Sequence, residues 1–108
     1  MGKDRIWFCG DTHGDLGHVV EYVLGAHATV QAPAAIILLG DIDAPRPLHI
    51  ELEKIRELTE IFWIPGNHDS DDNASWNNLV SSELADRNLH CRGAQVGSWQ
   101  VAGLGRSE

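Results

Sequence analysis

Residues 6–15 read IWFCGDTHGD, an apolar run that stops at Gly10 and passes directly into acids and a histidine. A short apolar run that ends at glycine is typical of a strand buried on both faces of a parallel sheet. We therefore predict such a strand over Arg5 to Gly10, with Trp7 and Phe8 in the core. Asp11, His13 and Asp15 follow this strand at alternate positions. Solvation alone does not explain two acids and a histidine in that arrangement.

The elements that follow alternate between apolar runs and helical patterns. They are a helix over Leu16 to Ala28, a strand over Ala35 to Leu39 stopped by Gly40, a helix begun by Pro47 in which Leu48, Leu52, Ile55 and Leu58 recur, a strand over Ile61 to Ile64 with core residues Phe62 and Trp63, and a weaker helix over Trp76 to Leu84. This order implies right-handed βαβ crossovers and a parallel sheet with helices on its faces. Beyond Asn88, two alternating runs joined by Gly97-Ser98 predict a β-hairpin.

Composition limits the classes of function. The chain has 108 residues, and 16 acids against 8 Lys and Arg give a formal charge of −8. This balance disfavours a broad phosphate-backbone footprint and gives a nucleic-acid role no support, although it leaves one open. An anionic substrate would need a local positive charge, and a bound metal is the obvious source.

Cysteine usage and the hydrophobic runs bear on the compartment. The two cysteines, Cys9 and Cys91, form neither a disulfide framework nor a CxxC metal site, which fits a reducing compartment. The start lacks the apolar run of a signal peptide, and no segment approaches a membrane span in length. We expect one domain over residues 1–108 in the cytoplasm, with no membrane partner.

Each predicted strand is followed by a polar loop. The loops contain Asp11, Thr12 and His13; Asp41 and Asp43; and Asn67, His68 and Asp69. In open parallel sheets, the loops at the carboxyl ends of the strands form the ligand crevice, so the three clusters should converge. Neighbouring carboxylates there would repel one another unless a cation lay between them. Carboxylate, imidazole and amide donors together suit Mn²⁺, Fe²⁺ or Zn²⁺, and Gly10, Gly40 and Gly66 permit sharp turns before them.

Simpler interpretations apply to single residues. An isolated Asp or Asn after a strand is usually a turn residue or a helix cap, and Asp15 is better interpreted as a cap than as a ligand. We interpret His18, His27 and His49 as surface or packing residues. The combination of three strand-end loops is what indicates a site.

The motifs resemble those of a known family. With Asp11-Thr12-His13-Gly14, Gly40-Asp41 and Gly66-Asn67-His68-Asp69 in this order, the sequence resembles the calcineurin-like metallophosphoesterases, whose motifs read D-x-H, G-D and G-N-H-[DE]. The resemblance runs from about Ile6 to Gly105. It implies the parallel βαβαβ half of a two-sheet α/β sandwich, here ending in a hairpin.

The resemblance also implies roles for individual residues. Asp11 and His13 would bind a first divalent metal, Asp41 would bridge two metals, and Asn67 would bind the second. His68 would contact the phosphate and protonate the leaving oxygen, oriented by a carboxylate such as Asp43 or Asp69. Two bridged metals, Mn²⁺, Fe²⁺/Fe³⁺ or Zn²⁺, would lower the pKa of a shared water, giving a hydroxide that attacks phosphorus in a monoester or diester.

The sequence departs from the family pattern after His68. The family completes its site with a single histidine and a G-H-x-H pair, whereas only His90 follows here, and the family fold continues beyond the final GRSE. We therefore expect a domain truncated at its C-terminus, and two hypotheses stay open. The chain is an active phosphoesterase whose missing ligands come from a second copy, a partner chain or a longer polypeptide. Alternatively, it is a non-catalytic half-domain that binds at most one metal weakly and acts as an oligomerising or partner-binding subunit.

Overall fold

The computed structural model describes residues 5–10, 15–29, 31–40, 42, 44–65, 73–89, 93–96 and 99–102, without the side chains of 73–75. Its strands and α-helices are, in chain order, β1 (Ile6–Gly10), α1 (Leu16–Thr29), β2 (Ala35–Leu39), α2 (Leu48–Glu51), β3 (Glu60–Ile64), α3 (Asn73–Val80), β4 (Gly93–Val96) and β5 (Trp99–Ala102). Two 3₁₀ turns, Glu53–Ile55 and Ala85–Arg87, follow α2 and α3.

Three strands form a parallel sheet, and the last two form a separate hairpin. The strand order is β1-β2-β3, so β2 lies in the middle, and β4 and β5 pair antiparallel. Val96 lies opposite Trp99, which leaves a two-residue connection, and residues 97–98 themselves lie outside the described ranges. The predicted α/β class, with a βαβαβ unit ending in a hairpin, is confirmed.

The larger core lies between the sheet and the helices. It contains the buried side chains of α1, the inward residues of β2 and β3, and the apolar residues around α2: Leu16, Val19, Val23, Ile36, Leu38, Leu48, Leu52, Ile55, Ile61 and Trp63. Trp63 is fully buried, and its indole Nε1 donates a hydrogen bond of 2.8 Å to the carbonyl of Leu84. Because a buried indole N–H needs an acceptor, this bond lets a tryptophan occupy the centre of the core.

The hairpin covers part of the opposite face of the sheet. Ala35, Ile37, Phe62, Leu89 and Val96 form a smaller buried cluster there. The outer edge of β3 is also hydrogen-bonded at one point, because the N–H of Leu89 donates to the carbonyl of Trp63 at 2.9 Å.

The prediction that β1 is buried on both faces is wrong. Phe8 is 63% exposed and Trp7 is half-buried, although the predicted core positions Phe62 and Trp63 are buried. In the described sheet β1 is an edge strand, and the smaller buried cluster under the hairpin lies on β2 and β3. Trp7 and Cys9 pack against the larger core and Ile6 against the smaller cluster, whereas Phe8 stays mostly exposed.

The helical predictions are correct in part. The first helix agrees with α1 to within one residue, whereas the predicted helix through Leu58 stops at Glu51 as α2 and continues as a 3₁₀ turn. Leu52 leaves the helical conformation at φ −110° and ψ 17° while staying fully buried. The weaker helix begins and ends earlier than predicted, at Asn73–Val80. Within the described ranges, no helix is long and apolar enough to cross a membrane.

Candidate functional site

The carboxyl ends of the three parallel strands lie side by side. Gly10 pairs with Leu39, and Leu39 pairs with Ile64, so the strands end in register. Since neighbouring strands lie about 4.8 Å apart, the three chain exits fall within about 10 Å of one another. The strand ends that precede the predicted clusters are therefore adjacent, while the convergence of the clusters themselves concerns residues outside the described ranges and stays a prediction.

Gly40 turns the chain out of the sheet directly after β2. Its φ is 66°, in the left-handed region that residues with a Cβ adopt at a cost. Its N–H donates a 2.8 Å hydrogen bond to the carbonyl of Ile64, which joins the ends of β2 and β3. A Cβ at Gly10 would meet no heavy atom within 4 Å, so the predicted need for glycine applies to Gly40 and not to Gly10. Gly66 lies outside the described residues.

The loop after β2 is held from the helix side. Ile42 and Ala44 are fully buried in the larger core. The side-chain amide of Asn78, on α3, donates a 2.7 Å hydrogen bond to the carbonyl of Ala44. The loop is therefore anchored by burial at Ile42 and Ala44, and by the hydrogen bond from α3 at Ala44.

The predicted site residues themselves lie outside the described residues. They are Asp11, His13, Asp41, Asp43, Asn67, His68 and Asp69. Within the part of the chain that the structure describes, no group of three or more His, Cys, Asp or Glu side chains could hold a metal ion. The donor types of the predicted set suit a divalent metal, and the strand ends that carry them are adjacent, so the residues fit such an ion.

An Asp–His pair lies beside these strand ends. The Nδ1 atom of His18 is 2.8 Å from a carboxylate oxygen of Asp15, and both side chains are more than half exposed. The pair belongs to a groove of 520 Å³ that runs along β1 and α1, which Trp7, Phe8 and Tyr22 also line. We predicted a cap at Asp15 and a surface residue at His18. The exposure of His18 agrees, and the D-x-x-H spacing was the signal for the contact, because the residue that directly precedes a helix lies close to the third helical residue.

Cys9 does not supply a reactive thiol to this groove. Burial raises the pKa of the Cys9 thiol, which keeps it protonated at neutral pH. Since the thiolate is the nucleophilic form, the groove next to the strand ends does not favour cysteine-based catalysis.

Comparisons with known proteins agree with the fold and with the strand-end motifs. The model of the calcineurin-like phosphoesterase family matches residues 4–104. A Haemophilus influenzae protein, described only as "Uncharacterized protein", is 34% identical over 100 residues, which cover 93% of this chain and 41% of that protein. This chain therefore spans 41% of the length of that relative. No solved structure matches this chain significantly. Since the family model spans most of the sequence, the chain belongs to the calcineurin-like phosphoesterase family.

Proposed function

We propose that this chain carries the metal-binding half of a phosphoesterase site and hydrolyses phosphate esters with two divalent metal ions. The observation that carries the proposal is the register of the strand ends, which begins all three polar loops at one edge of the sheet. Family membership supports phosphoester hydrolysis as the reaction class.

The proposed ligands come from all three loops. Asp11 and His13 would hold one ion, Asp41 would bridge the two, and Asn67 would hold the second. Ions of the Mn²⁺, Fe²⁺ or Zn²⁺ type suit this mixture of carboxylate, imidazole and amide donors. When bound, they would neutralise phosphoryl oxygens and lower the pKa of a water enough for it to attack phosphorus.

The remaining loop residues would handle protons. His68 would hydrogen-bond to the phosphate and donate a proton to the leaving oxygen, because imidazole ordinarily titrates near neutral pH. Asp43 or Asp69 would accept a hydrogen bond from the other ring nitrogen of His68 and so select its tautomer. In a chain of net charge −8, the metal ions would also offset repulsion of the anionic substrate.

The second candidate function is a non-catalytic half-domain that acts through its surface. Three large apolar side chains favour it: Phe8 is 63% exposed, Trp99 55% and Leu39 39%. Phe8 and Leu39 lie on strands of the parallel sheet, and Trp99 lies on the hairpin. Exposed apolar surface of this kind marks association sites.

A calorimetric Mn²⁺ titration of the metal-stripped protein separates the two candidates. Two tight sites per chain, which require that a second copy, a partner chain or a longer polypeptide supplies the missing ligands, are expected for the phosphoesterase, and Asp41→Asn should remove both. Glu21→Gln is the matched control, since it deletes one exposed carboxylate of α1 and should leave both sites intact. One weak site or none in the unmodified protein would contradict the enzyme proposal and support the half-domain.

Turnover of p-nitrophenyl phosphate and bis(p-nitrophenyl) phosphate completes the test. Hydrolysis should require added metal, survive Glu21→Gln and disappear in Asp41→Asn. Circular dichroism of each variant verifies that the fold is retained. Hydrolysis that persists in excess chelator would refute the proposed mechanism.

A further inference from the structure

The loops that follow β2 and β3 are joined on the strand side. The second loop, residues 40–47, connects β2 to α2, and the third loop, residues 65–72, connects β3 to α3. The N–H of Gly40 donates a 2.8 Å hydrogen bond to the carbonyl of Ile64. This bond fixes the first residue of the second loop against the last residue of β3. Residues 66–72 lie outside the described ranges, whereas the backbone of the elements on both sides of the third loop is described.

The helix α3 makes the matching contact on the other side of the third loop. The side-chain amide of Asn78 donates a 2.7 Å hydrogen bond to the carbonyl of Ala44. Because α3 is the element that directly follows the third loop, this bond ties the second loop to the far side of the third. Two hydrogen bonds, at Gly40 and at Ala44, therefore hold the second loop against both elements that flank the third loop.

The helix that carries Asn78 is itself fixed to the core. Leu79, the next residue, is fully buried there, and Trp76 packs against the larger core. Beyond the end of α3, the indole of Trp63 on β3 donates its hydrogen bond to the carbonyl of Leu84. Asn78 therefore belongs to an element held from two directions, and it can set the position of the loop that it contacts.

Burial makes the hydrogen bond to Ala44 hard to replace. Ala44 is fully buried, and Asn78 is half-buried. A buried carbonyl that loses its donor is costly, because it has given up its water as well. Without the Asn78 amide, the carbonyl of Ala44 regains a partner only if the loop moves toward water or toward another donor.

We propose that Asn78 is a positioning residue for the metal centre. By fixing the loop that contains Asp41 against the elements that flank Asn67, it presets the distance between the bridging ligand and the ligand of the second ion. A site of this kind needs its ligands held to within about 0.5 Å, so a small shift of the loop is enough to reduce affinity. The effect on metal binding rests on the proposed function, whereas the control of loop position does not.

Hydrogen exchange, measured by mass spectrometry in the metal-free protein, tests the control of loop position. In Asn78→Ala, peptides over residues 40–48 should exchange roughly tenfold faster, because the lost hydrogen bond lets the loop open locally. Asn77→Ala is the matched control, since Asn77 is the exposed neighbour on the same helix and should leave these peptides unchanged. Unchanged exchange over residues 40–48 in Asn78→Ala would overturn the proposal.

A second control separates loop position from a general weakening of α3. The hydroxyl of buried Ser82 donates to the carbonyl of Leu79 and accepts from the N–H of Leu84, so Ser82→Ala loosens the end of this helix without touching the second loop. Exchange over residues 40–48 should stay slow in this variant. Equal acceleration in Ser82→Ala and Asn78→Ala would show that the loop only follows the stability of the helix, and it would refute a positioning role.

Calorimetric Mn²⁺ titration tests the effect on the metal centre. Asn78→Ala should raise the dissociation constants about tenfold, whereas Asn77→Ala and Ser82→Ala should bind as the unmodified protein does. Asn78→Asp keeps the size of the side chain and removes the N–H donor. Its added charge alone would attract the cation, so weaker binding in this variant reports the lost loop position. Circular dichroism of each variant verifies that the fold is retained.

The outcomes separate this inference from the proposed function. If Asn78→Ala binds Mn²⁺ as tightly as Asn77→Ala, or if Asn78→Asp binds it more tightly than the unmodified protein, the positioning role is wrong. If the unmodified protein binds no Mn²⁺, the proposed function fails, and the exchange over residues 40–48 still decides whether Asn78 fixes the loop.

Discussion

Replacement of Gly40 by alanine should destabilise the protein, whereas the same change at Gly10 should not. Gly10 ends β1, Gly40 directly follows β2, and each precedes a predicted metal ligand, so the pair is closely matched. Gly40 has φ 66°, and an L-residue there costs about 1–2 kcal/mol. Gly10 has open space around its Cβ position, and alanine there should be neutral or stabilise by about 0.4–1 kcal/mol through the unfolded chain.

Urea unfolding, followed by tryptophan fluorescence, to which buried Trp63 contributes, and by circular dichroism, measures this difference. A domain of this size has an m-value of roughly 1–2 kcal/mol per molar urea, so Gly40→Ala should lower the midpoint by about 1 M. The m-value should not change, because the surface exposed on unfolding stays the same. Gly10→Ala should unfold at or above the midpoint of the unmodified protein.

The same variants report on the site. Gly40 directs the chain toward Asp41, the proposed bridging ligand, so Gly40→Ala should also weaken Mn²⁺ binding in calorimetry. Gly10→Ala should bind Mn²⁺ nearly as the unmodified protein does. The reasoning is refuted if Gly40→Ala unfolds at the same urea concentration as the unmodified protein, because the positive φ would then carry no cost.

Two further predictions concern stability. Trp63→Phe should lower the free energy of unfolding by about 1–3 kcal/mol, because the carbonyl of Leu84 loses its buried indole donor, and calorimetric melting would contradict this if the transition did not move. The Arg56 guanidinium, 2.8 Å away, holds the pKa of Glu83 below its usual 4.5, so this carboxylate stabilises the fold above that pH and loses its contribution as pH falls through the lowered value. Glu83→Gln should therefore be less stable than the unmodified protein at pH 7 and match it in strong acid; equal stability at both pH values, or an equal loss in the exposed control Glu57→Gln, would disprove the assignment.

The sequence pattern predicted an element correctly where the residues within that element decide its conformation. Each parallel strand was predicted to within one residue, because a run of apolar residues that ends at a turn signal has few other uses. The helix α1 followed from its spacing, and the hairpin followed from alternation around a two-residue connection. The strand-end motifs identified the family because they recur in a set order, whatever the surrounding packing.

The sequence pattern predicted the burial of side chains better than the conformation of the backbone. Leu48, Leu52 and Ile55 are all buried as the helical spacing predicts, yet the chain leaves the α-helix at Leu52. A 3₁₀ turn also places residues three apart on one side, so the spacing of Leu52 and Ile55 is compatible with both conformations. The sequence predicted which side chains are buried, but it did not predict that the backbone changes from an α-helix to a 3₁₀ turn.

The sequence by itself determined the elements, their order and the polar loops, since these depend on neighbouring residues. Only the tertiary structure decided that β2 lies in the middle, that the three strand ends share one register, and that Phe8 is exposed on an open edge. The exposure of a strand residue depends on which distant segments pack against its two faces and its edge. IWFCG would have the same sequence as a central strand, so its place beside β2 at the edge of the described sheet could be read only from the structure.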